Sequence, residues 1–140
     1  MLGRTFYFIS SILVLFGAFI LLSPSLLTSD LIYPDRIDST YISYHAALDG
    51  DDADKLIFSP LDIGLKYSNI NITSGDGLKL KGWYVSSEDK TANTILIIHD
   101  LNESKILYID HLKQFHDRGF NVCAFDLRAH GNSGGNEFTP

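Results

Sequence analysis

The chain has 140 residues, a formal charge of −6 and one cysteine, Cys123. Its 11 Lys and Arg form no run, so there is no basic stripe to neutralise a nucleic-acid backbone, and a nucleic-acid partner is excluded. A single cysteine excludes an intrachain disulfide, and its place inside an apolar strand pattern marks it as a small buried hydrophobe.

Residues 1–4 read as a short cytoplasmic amino terminus. Residues 5–22, Thr5 to Leu22, run eighteen positions without a charge. As a helix rising 1.5 Å per residue this stretch covers about 27 Å, close to the hydrocarbon thickness of a bilayer. Arg4 precedes it and Asp30 is the first charge after it. The positive-inside rule then keeps the amino end cytoplasmic and sends the rest across the membrane as a single-pass signal anchor. The rival is a cleaved signal peptide ending near Ser23-Pro24-Ser25, which would leave a secreted protein, but the apolar core exceeds the usual ~7–15 residues. A buried hydrophobic helix is the third reading.

Residues 23–60 read as a stalk or linker. It holds Pro24, Pro34 and the acidic cluster Asp49-Gly50-Asp51-Asp52-Ala53-Asp54, whose spacing does not make a calcium loop and fits a solvated turn. Tyr33, Tyr41 and Tyr44 suggest that part of it packs on something.

Residues 61–140 carry the globular signals. Tyr67 to Thr73 alternates with a period of two, Gly75-Asp76-Gly77 punctuates, and Leu78 to Val85 alternates again, which predicts a β-hairpin. Thr94 to Ile98 is short and continuously apolar, as for a strand covered on both faces. Tyr108, Leu112 and Phe115 give Ser104 to Arg118 a helical apolar face, with Asn102 or Ser104 as candidate caps and Gly119 at its carboxyl end. Asn121 to Phe125 is the next strand. The order strand, loop, helix, strand, loop is a βαβ unit whose two polar loops share one carboxyl edge, where open α/β sheets bind ligands.

Three pieces carry a resemblance: Asp76-Gly77-Leu78-Lys79-Leu80-Lys81-Gly82-Trp83, the strand ending at His99, and Asp126-Leu127-Arg128-Ala129-His130-Gly131-Asn132-Ser133-Gly134-Gly135. In that order they resemble the amino-terminal portion of the α/β-hydrolase superfamily, most of all its dienelactone-hydrolase-like and serine-aminopeptidase-like branches. The last piece is similar to that family's Asp-x-Arg-Gly-x-Gly-x-Ser loop. The resemblance implies an antiparallel hairpin followed by a βαβ unit, preceded here by a transmembrane helix.

It also implies a function: part of a membrane-anchored serine hydrolase acting on a small-molecule ester, thioester or amide. The triad Ser, Asp, His is expected beyond residue 140, so the chain alone is expected to be inactive and marginally stable. No catalytic side chain, cofactor or metal ligand is assigned within it. By position, the backbone N–H of Leu101 is the oxyanion-hole candidate. His99, Asp100, Asp126, Arg128 and Gly131 are the loop-supporting residues. Asp100 stands where the family has glycine; its carboxylate is expected to point away and its backbone to tolerate the left-handed region.

Ser133 matches Gly-x-Ser-x-Gly in letters through Gly131 and Gly135, but no apolar strand precedes it, so it is read as structural. Two sequons, Asn71-Ile72-Thr73 and Asn102-Glu103-Ser104, are present. The alternative functions are a non-catalytic truncated or pseudoenzyme form and, below it, a nucleotide-binding dehydrogenase-like module with Asp126 on the ribose. The second lacks a glycine-rich phosphate loop.

Overall fold

The computed structural model describes residues 11–21, 32–50, 52 and 55–138. The chain divides into two units, Met1–Ile32 and Tyr33–Pro140. In the first, residues 11–21 are helical with mostly exposed apolar side chains. The ends of the expected anchor, the Ser23-Pro24-Ser25 site, and Asp51 and Asp54 of the acidic cluster lie outside the described residues. Among the described residues, no helix is long and apolar enough to cross a membrane.

The second unit opens with helix α1 (Ser39–Asp49), inside the segment expected to be a stalk. Asp38 caps it by accepting the Tyr41 N–H at 2.9 Å, and Gly50 closes it in the left-handed region. Only Ala46 of the helix is buried, and Ile42 packs partly against the core, so no apolar stripe announces it. A 3-10 turn at Pro60–Ile63 leads to the sheet.

The sheet has four strands, β1 (Ser68–Thr73), β2 (Lys79–Val85), β3 (Thr94–Ile98) and β4 (Asn121–Phe125), in the order β1-β2-β4-β3. β1 and β2 form the hairpin, β2 pairs antiparallel with β4, and β3 runs parallel to β4. Between β3 and β4 lie a 3-10 turn (Lys105–Tyr108) and helix α2 (Ile109–His116). The first turn of the expected helix is thus 3-10, and neither candidate cap bonds it. Instead the Lys105 N–H donates to Asp126 Oδ1 at 2.9 Å, so a carboxylate from the next loop satisfies the helix start.

Trp83, Val85, Val122 and Ala124 face α2 and pack with Ile106, Ile109 and Leu112 into the core. The opposite face is largely open. Ile72, Leu96 and Ile98 are exposed, and Cys123 is half-buried, so β3 is covered on one face rather than two. Phe125 is the exception on that side. It lies over Gly82, where an added Cβ would sit 2.5 Å from its ring.

Candidate functional site

The two loops at the carboxyl ends of β3 and β4 meet because those strands are parallel and adjacent. Two buried histidines tie them together in both directions. His99 Nε2 accepts the Leu127 N–H at 2.9 Å, so the ring proton sits on Nδ1, which donates to the Asp100 carbonyl at 2.7 Å. His130 Nε2 accepts the Asn102 N–H at 3.2 Å, and its Nδ1 donates to the Arg128 carbonyl at 2.8 Å. The rings lie 5.0 Å apart. Burial pushes the His99 imidazole below its ordinary range, in keeping with this neutral form. Both rings spend both nitrogens on backbone, so they act as braces.

Asp126 is the hub of the second loop and is almost fully buried. Its Oδ1 takes the Lys105 N–H, while Oδ2 takes the Lys105 ammonium and the Asn132 N–H, the latter at 2.8 Å. Lys105 is 3 % exposed, so this is a buried ion pair, with the ammonium also 4.8 Å from the Trp83 ring centre. Gly131 is left-handed (φ 45°), and a Cβ there would fall on the Asp126 carboxylate. Ala129 is also left-handed, at φ 62°.

Ser133 donates its hydroxyl to the Asp126 carbonyl at 2.7 Å and accepts the Lys81 N–H at 2.8 Å. At 2 % exposure it has neither a free proton nor access, which is a structural serine. Arg128 reaches back to the hairpin turn, where the Ser74 hydroxyl and the Arg128 guanidinium hold the Asp76 carboxyl down at about 2. Arg36, from the expected stalk, clamps the same loop by donating to the carbonyls of Gly131, Ser133 and Gly135.

The first loop carries the expected anion donor. Asp100 does not point away: its Oδ1 accepts the Leu101 N–H at 2.7 Å, which is the candidate oxyanion donor itself. Nor is Asp100 the left-handed residue of the turn; Asn102 is, at φ 57°. Glu103 Oε2 accepts the Asp100 N–H at 3.1 Å and the Tyr108 hydroxyl, which raises the Tyr108 phenol. The loop therefore presents one backbone donor that already binds a carboxylate. It can hold an anion at Leu101 only when the Asp100 side chain swings aside. Ser104, the last residue of the second sequon, is fully buried.

Comparison with known proteins places this geometry. The uncharacterized protein YqkD of Bacillus subtilis is 39% identical over 64 residues, which cover 46% of this chain and 21% of that protein. The Pyrococcus furiosus esterase Pf2001 superposes in one crystal form with a TM-score of 0.54 at 28% identity, over 74% of this chain and 34% of the esterase. A second crystal form gives 0.51 at 34% identity, over 59% and 32%. The four-stranded sheet matches part of an α/β-hydrolase fold. The chain spans about a fifth of the length of YqkD and about a third of the esterase. No family model matches.

Within that partial fold, the structure gathers His99, Asp100, Leu101, Asp126, Arg128 and Gly131 at one edge. The dehydrogenase-like alternative loses its ribose ligand, because Asp126 is buried against Lys105. His130, Lys105 and Arg36 complete the edge and were not singled out from the sequence. Only His130 had a signal, standing between Ala129 and Gly131 in the matched loop.

Proposed function

We propose that this chain is part of a membrane-anchored serine hydrolase acting on a small-molecule ester, thioester or amide, in the dienelactone-hydrolase-like or serine-aminopeptidase-like branch. The nucleophile, acid and histidine lie outside its 140 residues. The supporting observation is the pair of cross-braced loops at the carboxyl edge of a β1-β2-β4-β3 sheet, with the Leu101 N–H at their rim. In acyl transfer such a donor stabilises the oxyanion of the tetrahedral intermediate, and loss of one such donor costs about 10²–10³ in kcat. Anchoring by residues 5–22, with the globular unit outside the cytoplasm, rests on their eighteen uncharged positions.

The second reading is a non-catalytic form, and one contact favours it. Asp100 Oδ1 occupies the Leu101 N–H, so a negative charge stands where the oxyanion would develop. Fluorophosphonate labelling of the product of the whole open reading frame separates the two. The hydrolase reading expects a label on a serine outside residues 1–140; no label supports the non-catalytic form, and a label on Ser133 overturns both. Alkaline carbonate extraction tests the anchor, which expects the protein to stay with the membrane pellet.

A further inference from the structure

A cleft lies on the α2 side of the hairpin, near the carboxyl edge, with a volume of about 560 Å³. That size suits a small molecule rather than a lone ion. Its walls are Asn69, Asn71, Lys79 and Lys81 from the hairpin, and its base is the Lys105–Asn132 contact beside Trp83. The cross-strand register sets Asn71 directly opposite Lys81 and Asn69 opposite Trp83, so these side chains project from one face.

The charges in this cleft are unbalanced. Lys105 is neutralised by Asp126, but the ammonium groups of Lys79 and Lys81 have no carboxylate partner among the described residues. Among the described residues, the side-chain amides of Asn69 and Asn71 have no hydrogen-bond partner. Asn132 turns its oxygen to Lys105, and its NH₂ has no partner among the described residues. No carboxylate lines the cleft. A chain of net charge −6 has thus gathered two uncompensated cations, two unbonded amides and the Asn132 NH₂ at one concave place.

We propose that this cleft binds a phosphate group carried on a small molecule or on a lipid headgroup. The phosphate oxygens accept from Lys79 and Lys81, and the asparagine amides hold the polar atoms of the carrier. The proposed phosphate contacts come from Lys79 and Lys81 of the hairpin, which lie outside the two braced loops that carry the hydrolase reading.

Trp83 is the only tryptophan of the chain and reports on the cleft directly. The full chain, in zwitterionic micelles, is titrated with inorganic pyrophosphate while its emission is followed. The expected result is saturation with a Kd of about 1 mM, weakening as salt rises. Lys79→Gln and Lys81→Gln are expected to weaken binding about threefold each and about tenfold together, while Lys81→Arg retains it. Both lysines are exposed, so the variants are expected to fold, which circular dichroism checks. A second arm uses phosphatidylglycerol against phosphatidylcholine vesicles. A lysine-dependent response to the anionic vesicles alone assigns the headgroup, and one to pyrophosphate alone assigns a free ligand. No saturation by either probe, or the same affinity in the double glutamine variant, overturns the proposal.

Discussion

The Lys105–Asp126 pair offers the sharpest test of how the site is held. Asp126→Asn keeps the shape of the side chain and removes its charge. The Lys105 ammonium then remains 3 % exposed with no counter-ion. The amide also has one acceptor oxygen where the carboxylate used two, taking three donors from Lys105 and Asn132. Breaking a buried pair from one side costs about 3–5 kcal/mol. In a unit of about a hundred residues each kcal/mol moves Tm by about 4 °C, so a fall of about 12–20 °C is expected by calorimetry. The companion variant is Lys105→Met on the Asp126→Asn background, which removes the stranded charge and keeps the aliphatic stem over Trp83. It is expected to regain at least about 1 kcal/mol, because much of the penalty is the unpaired charge. An Asp126→Asn shift below about 4 °C, or a double variant no better than the single one, would refute a dry, mutually dependent pair.

Further outcomes follow from the same edge and the hairpin turn that it reaches. Ala129→Gly is expected to raise the urea midpoint by an amount equivalent to about 1 kcal/mol, since alanine holds φ 62° where glycine is unstrained. Gly131→Ala is expected to unfold the loop, whereas Gly134→Ala, with 3.4 Å to its nearest neighbours, is expected to be mild; equal effects by thermal melting would refute the Asp126–Gly131 contact. His99 is held neutral by burial, so its folded pKa lies below the unfolded value of about 6.5. Its contribution is full above pH 6.5 and is lost as pH falls below it, at up to about 1.4 kcal/mol per pH unit, and His99→Gln is expected to flatten that slope in urea titrations at pH 7 and 5.5. Asp76, held at about 2, loses its stabilisation in the same direction but only below about pH 4.

The strands were legible in the sequence because their signals are local. A period of two across Gly75-Asp76-Gly77 and two short apolar runs need no knowledge of partners, and they land on β1 to β4 within a residue. Helix α1 was not legible, because burying only Ala46 leaves no apolar stripe; Asp38 and Gly50 at its ends were the available cue. The open face of β3 follows from its single covering helix, because an apolar run states what a strand prefers and not what covers it. The roles of Lys105 and His130 depend on partners 21 and 28 positions away, which meet only through the parallel pairing of β3 with β4. Arg36 reaches almost a hundred positions to its carbonyls, beyond any local pattern.

The same distinction clarifies Asp100. An aspartate directly after His99 could bear on either the turn or the chemistry. The turn does not depend on residue 100 being glycine. His99 fixes the Asp100 carbonyl, His130 fixes the Asn102 N–H, and the left-handed angle falls on Asn102, a residue that tolerates it. What Asp100 takes up is a single donor, the Leu101 N–H. A loop braced at both ends by imidazoles keeps its shape whether or not that donor is free. The Asp100 side chain therefore bears on anion binding at Leu101 and leaves the architecture of the edge intact.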